Sequence, residues 1–202
     1  MVIAYSGAMM PGPMFVVVVT QSPRQGFRAG PLTVLGHGIL ELVLLVALVV
    51  GLGGILQRSG VKTGLALVGG TMLIWTAAAM ISYVARGKAT VEWQSDGRGS
   101  GRLRTVLAGV VSSISNPYWT LWWATIGMSL ITKAYAAGIA GLVAFYVGHI
   151  IGDLTWYSAL SGLIAAGRRF ITAKVYAGML LTAAAFLLAL AGWFIFSGVR
   201  GL

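Results

Sequence analysis

"GHIIGD", Gly148 to Asp153, lies in the middle of an apolar run from about Ala134 to Ala166. A histidine and an aspartate thus stand four residues apart in a segment that otherwise reads as a lipid-spanning helix. Ionisable groups at that depth are costly and call for a partner or a function. Upstream, "GHGILE" at Gly36 to Glu41 has the same form: Gly, His, three residues, then a carboxylate. With only two histidines and four carboxylates in 202 residues, coincidence at both is rare, and the element reads as an internal repeat.

The surroundings of both elements are those of an integral membrane protein. Hydrophobic residues make up 58% of the chain and charged residues 9%, with a mean hydropathy of +0.89. Soluble domains carry roughly 25% charge. There is no cysteine, which excludes disulfides, thiol catalysis and thiolate metal sites. The net charge of +10 does not point to nucleic acid, because the basic residues fall between apolar runs rather than in one patch among aromatics.

A bilayer core takes about 20 apolar residues per helix. Six runs qualify, near 2–21, 32–56, 64–85, 105–131, 135–166 and 173–198. The first lacks a basic leader and carries Pro11-Gly12-Pro13 in its middle, so it reads as a retained helix. The connections after runs 1, 3 and 5 hold Arg24, Arg28, Arg86, Lys88, Arg98, Arg102, Arg104, Arg168, Arg169 and Lys174. The other side has Arg58, Lys62, Lys133 and Arg200. Basic residues accumulate in cytoplasmic loops, so both termini are expected outside the cytoplasm of a multi-pass protein of the cell (inner) membrane.

The stretch 86–104 includes "SDGRGSGR", Ser95 to Arg102, and reads as a flexible cytoplasmic linker. No strand precedes its glycines and no Gly-Lys-Ser/Thr follows, so it is not a phosphate loop. It divides the chain into residues 1–85 and 105–202, each with three helices. An odd number per half turns the halves in opposite directions across the membrane. The expected fold is therefore all-α, six transmembrane helices as two inverted three-helix repeats.

The first helix of each half supports the match. Pro11-Gly12-Pro13 lies in one and "SSISNP", Ser112 to Pro117, in the other. Proline removes an intrahelical hydrogen bond and pushes the preceding residue out of helical geometry. Both helices should break at mid-membrane, where freed backbone groups must face protein or a cavity. Inverted repeats, paired broken helices and midplane ionisable groups together point to a secondary transporter.

These residues resemble the LysE-type amino-acid exporters, including the RhtB branch, over essentially the whole chain. The resemblance rests on Pro11-Gly12-Pro13, on Ala29-Gly30 followed by Gly36, and on Asn116-Pro117. It implies export of amino acids, usually against proton influx. The chain departs from the family pattern at Met14, where Asn commonly follows, and at Tyr118, where Lys commonly follows.

Glu41 and Asp153 are the candidate proton- or cation-binding groups, with His37 and His149 beside them at i,i+4 spacing. Each pair also has a purely structural reading, mutual satisfaction inside the bundle. Amides after the two breaks, near Met14 and Phe15 and near Tyr118 and Trp119, are candidates for receiving a substrate carboxylate. The expected substrate site thus comprises Pro11, Gly12, Pro13, Met14, Asn116, Pro117, Tyr118 and Trp119, against a plain proline kink as the alternative. Trp119, Trp122 and Trp123 share a helix face and fit either a cation–π contact or an interfacial belt. Gly148 and Gly152 form a small-xxx-small pair that reads as helix packing.

Three other functions compete with this one. Divalent metal export would use the two histidines and two carboxylates as a borderline N/O set, but four ligands would have to converge from two helices. An intramembrane enzyme lacks a motif around Ser112, Ser113 and Ser115. A scaffold needs neither broken helices nor midplane acids. The expectation is a transporter rather than an enzyme, with no cofactor and no resident metal. Its partners are a small-molecule substrate, coupling protons and the bilayer, and a homodimer is an open option.

Overall fold

The computed structural model describes residues 5, 7–9, 12–56, 58–90, 101–167 and 169–200, and all regular structure among them is helical. Helix α1 spans Pro13–Gln25, and a single 3-10 turn, Gly26–Arg28, leads into α2, Ala29–Ala47. A π turn, Leu48–Leu52, bends at Gly51, whose φ of 140° suits glycine. Helix α3 is Ser59–Ala85 and α4 is Arg102–Ile114. After a break come α5, Pro117–Trp122, a second π turn, Trp123–Gly127, and α6, Met128–Tyr135. Helices α7, Gly138–Ala166, and α8, Ala173–Arg200, close the chain.

Four stretches are long and apolar enough to cross a membrane: Pro13–Ile55, Ser59–Ala85, Gly138–Ala166 and Ala173–Arg200. The run expected at 105–131 is not among them, because it is interrupted after Ile114 into α4 and then the short segments α5, the second π turn and α6. Before the first break Tyr5, Gly7 and Ala8 are helical, with Met9 N–H donating to Tyr5 O at 2.9 Å, and the helix that restarts at Pro13 carries on past the expected residue 21 through Pro23 to Gln25. Pro11 and the linker residues 91–100 lie outside the described residues.

Both breaks follow from proline and its neighbours. Gly12 is extended (φ −108°, ψ −172°) and Pro13 occupies the first helical position, where its missing N–H costs nothing. Asn116 is likewise extended, and its side chain accepts the Tyr118 amide at 3.2 Å, capping the restarted helix. Serine hydroxyls add a second bond to carbonyls in the last turns of α4, one of which, Val111 O, also accepts the Ser115 N–H at 2.9 Å. Ser113 donates to Gly109 O and Ser115 to Val111 O, each at 2.7 Å. Such back-bonding supplies partners that lipid cannot.

Packing divides the bundle into two parts. In one, α3 and α8 lie along each other through Leu73, Ala77, Ala183, Ala184, Leu187 and Ala191. Small side chains let membrane helices approach closely. In the other, α2 is gripped by α4 and α7, and α1 packs on α4 and α7. A Cβ on Gly36 would stand 1.9 Å from Val106 O, and one on Gly109 would stand 2.1 Å from Thr33 O. The α2–α4 contact therefore exists only with glycine at both places. Gly148 does not play this part: a Cβ there would meet nothing within 4 Å, so the small-residue pair on α7 is not a packing device at that position.

The basic connections gather at one end of the bundle. Gln25 bonds Thr105, Ser161 Oγ donates to Phe27 O at 2.8 Å, and Arg24, Tyr83 and Tyr176 line one cleft. Lys62 lies instead beside Trp193 and Ser197 at the far end of α8. Removing the Ser161 hydroxyl leaves the Phe27 carbonyl without that partner. Ser161→Ala should cost about 1–3 kcal/mol, seen as a lower unfolding midpoint in detergent.

Candidate functional site

Glycine-lined contacts bring α2 against α4 and α7, and the polar faces of α2 and α7 then meet. His37 and Glu41 come from one helix, His149 and Asp153 from the other, all four buried. His37 Nε2 lies 3.0 Å from Glu41 Oε1 and 3.4 Å from Asp153 Oδ2. His149 Nε2 lies 3.3 Å from Glu41 Oε2 and 3.6 Å from Asp153 Oδ2. Each histidine thus contacts both carboxylates, and one donor atom from each of the four lies within 4.8 Å of every other. The two i,i+4 pairs expected from sequence are in place, but they form one tetrad rather than two separate pairs.

Glu41 is held by more than histidine. The indole N–H groups of Trp119 and Trp123 both donate to its Oε1 at 2.9 Å. The two rings share a face because Trp123 follows Trp119 by one α-helical turn, its backbone N–H bonding Trp119 O, and the Trp123 ring is fully buried. Trp122 is also buried and stacks on the His149 ring at 5.0 Å. The interfacial-belt reading of these two tryptophans is therefore overturned, because neither faces lipid. Trp123→Phe removes one donor to a buried carboxylate. The expected cost is about 1.5–3 kcal/mol, read as a drop in thermal unfolding midpoint relative to wild type.

Ser113 decides the state of His37. Its hydroxyl hydrogen is committed to Gly109 O at 2.7 Å, so the 2.7 Å contact with His37 Nδ1 has the imidazole N–H donating to Ser113 Oγ. In a neutral His37 the other nitrogen, Nε2, is then a bare lone pair directed at two carboxylate oxygens. Such an arrangement is repulsive unless a proton or another cation lies among them. Two carboxylate oxygens, Glu41 Oε2 and Asp153 Oδ2, are buried with no hydrogen-bond partner.

The tetrad forms one wall of a cavity of about 60 Å³. Gly12, Met14, Asn116, Tyr118 and Trp119 line the same cavity, so both helix breaks meet the tetrad. Pro13 and Pro117 start the helices α1 and α5 that frame it, and Pro11 lies outside the described residues. One detail differs from expectation: the Tyr118 amide is taken by Asn116 and is not free for a substrate. Conversely, Trp122 Nε1, on the cavity wall, is a buried donor with no partner. Residues outside the expected site that the structure brings to it are Ser113, Trp122, Trp123 and Tyr157. The tryptophan spacing signalled an unusual face, but nothing local marked Ser113 as the histidine's partner.

The family model described as LysE type translocator matches residues 5–198, nearly the whole chain. Neither a curated protein nor a solved structure matches. Translocators are transporters, and with the long apolar helices the match makes this a multi-pass membrane protein of a transporter family.

Proposed function

Since the chain belongs to the LysE type translocator family, we propose that it is a secondary transporter exporting amino acids or related small metabolites in exchange for protons. The carrying observation is the complement of unpaired groups on one small cavity. Two buried carboxylate oxygens lack partners at one side, and the Trp122 indole N–H lacks one at another. A zwitterion answers both, its ammonium at Glu41 and Asp153 and its carboxylate at Trp122 and the Asn116 amide. Unpaired buried polar groups are rare enough to call for such an explanation.

The proton belongs to the tetrad in this reading. With His37 Nδ1 committed to Ser113, the Nε2 side must carry a positive charge whenever cargo is absent. Arrival of an ammonium replaces that charge and releases the proton, and departure of the cargo takes one up. A binding event coupled in this way makes transport in one direction drive protons in the other. The cavity of about 60 Å³ has room for about two waters, so loading an amino acid requires the helices around it to move apart.

Inverted repeats give that movement a route. Treating residues 1–85 and 105–202 as the two halves, with 86–104 between them, α1 corresponds to α4–α6, α2 to α7 and α3 to α8. The packing supports this: α2 lies on α7 and α3 on α8, and the α2–α4 contact has its counterpart in α7 against α1. Rocking of one half on the other would open the cavity to alternate sides. The basic connections at one end favour that end as cytoplasmic, with both termini on the outer side of the cell (inner) membrane. No nucleic acid enters this reading, and a homodimer is compatible with it.

The test is flux in proteoliposomes. Counterflow of a labelled amino acid, with acidification reported by a trapped dye, should appear together and depend on the imposed pH gradient. Amino-acid flux indifferent to the gradient would remove the coupling, and no flux with any amino acid would remove the cargo class. Replacing Pro117 by Ala should extend α4 into α5 and weaken cargo binding, seen as a smaller ligand-induced thermal shift. Wild-type shifts would place the cargo away from the break.

A further inference from the structure

We propose that the tetrad is a binding site for a divalent transition-metal ion, held by His37, Glu41, His149 and Asp153. The proposal rests on the reading of these four residues as the exchange site and adds a second ligand class to it. It does not depend on amino acids being the cargo.

The first argument is spacing. Imidazole and carboxylate groups alternate around a ring, with nitrogen–oxygen contacts of 3.0 Å to Glu41 Oε1, 3.3 Å to Glu41 Oε2, and 3.6 and 3.4 Å to Asp153 Oδ2. Neighbouring donors around a divalent ion at about 2.0–2.2 Å stand roughly 3.0–3.5 Å apart. The edges of the ring are therefore close to those a bound ion imposes, and with the four donor atoms within 4.8 Å of one another the closure needed is small enough for side chains alone. Two imidazole nitrogens with two carboxylate oxygens suit zinc, cobalt or manganese rather than soft or strongly hydrated ions.

Orientation is the second. Metal-binding histidines hold the ligating nitrogen in place by donating the other N–H to a fixed acceptor. His37 does this through Ser113, itself tied to Gly109 O, and so aims Nε2 into the ring. Glu41 is held through Oε1 by the indoles of Trp119 and Trp123, which leaves Oε2 free. Three outer partners thus position two of the four ligands.

Unsatisfied charge is the third. Glu41 Oε2 and Asp153 Oδ2 are buried without hydrogen-bond partners, 1% and 3% exposed at the residue level. Two carboxylates facing two neutral imidazoles carry a charge of −2 in a low-dielectric setting, and one divalent ion neutralises it. A primary ammonium has three N–H donors and so falls one short of the four acceptor atoms. A metal ion meets all four.

Cobalt(II) is the probe, because its visible absorption reports both binding and ligand geometry. Wild-type protein in detergent should take up one Co²⁺ per chain saturably, with X-ray absorption showing imidazole among the ligands. His149→Gln and Asp153→Asn should each weaken binding by more than the roughly 10–100-fold that loss of an outer partner costs. Ser113→Ala, which touches no ligand atom, should fall within that 10–100-fold range, and it guards against misfolding of the ligand variants. No saturable signal in wild type, or a signal equal in wild type and His149→Gln, overturns the site.

The proteoliposome assay separates this from the transport reading. Absent cobalt binding with intact proton-coupled amino-acid flux removes the metal site alone. Stoichiometric cobalt binding without any proton-coupled amino-acid flux upholds the metal site and removes the amino-acid exchange.

Discussion

Replacing Glu41 by Gln is expected to abolish proton-coupled export, at least a hundredfold in gradient-driven flux, while the protein still folds. The amide keeps one acceptor oxygen, so the indoles of Trp119 and Trp123 retain a partner. Its size is unchanged, and the fully buried position is not opened. What disappears is the negative charge that His37 and His149 both face. A neutral glutamine cannot hold a proton among these groups, nor balance an arriving ammonium. Asp153→Asn removes the other carboxylate of the ring and should have the same effect. Flux in proteoliposomes with and without a pH gradient provides the measurement, with a melting curve as the folding control. Undiminished coupled flux in both variants would free the tetrad of any role in exchange.

The contrasting variant is Gly36→Val, expected to destroy the bundle rather than its chemistry. Even the first carbon of the new side chain would lie 1.9 Å from the Val106 carbonyl oxygen. The obstacle is helix backbone, so no side-chain rotation relieves it, and α2 must move off α4. Overpacking of a well-filled core typically costs about 1–3 kcal/mol, and a clash with main chain should lie at or above the top of that range. Because His37 follows directly and reaches Ser113 on α4, the same shift also breaks the 2.7 Å contact that orients its ring. Loss of a monodisperse peak on size exclusion, or a much lower melting midpoint, is the expected result. Wild-type stability would mean that α2 and α4 do not pack through these glycines. Gly148→Ala is the control from α7, where a Cβ meets nothing and stability should hold.

The two variants separate what the chain encodes locally from what packing decides. The apolar composition, the repeated Gly-His-x-x-x-acid element and the paired prolines are local features, legible because lipid tolerates few charges and proline breaks helices wherever it stands. The breaks at Gly12 and Asn116 were legible for that reason, and so was the pairing of each histidine with the acid one turn away. The exact course of the helices was less so. Polar residues such as Gln21 and Gln25 prolong α1 beyond its apolar run, which hydropathy alone does not register.

Only the tertiary structure joined the pairs. Nothing in the spacing of His37 and Glu41 says that Asp153, more than a hundred residues on, lies within reach of the same imidazole. That contact depends on glycines letting α2 approach its neighbours, a property of surfaces meeting rather than of either sequence. The tryptophans make the same point. Their i,i+4 spacing put Trp119 and Trp123 on one helix face, but only packing showed that this face meets Glu41 on α2. The sequence by itself thus determined that a membrane-embedded, twice-broken helical chain would carry two acid–base elements. Packing decided that they would share one site, because convergence depends on which helices can touch, and that is settled only when all of them are assembled.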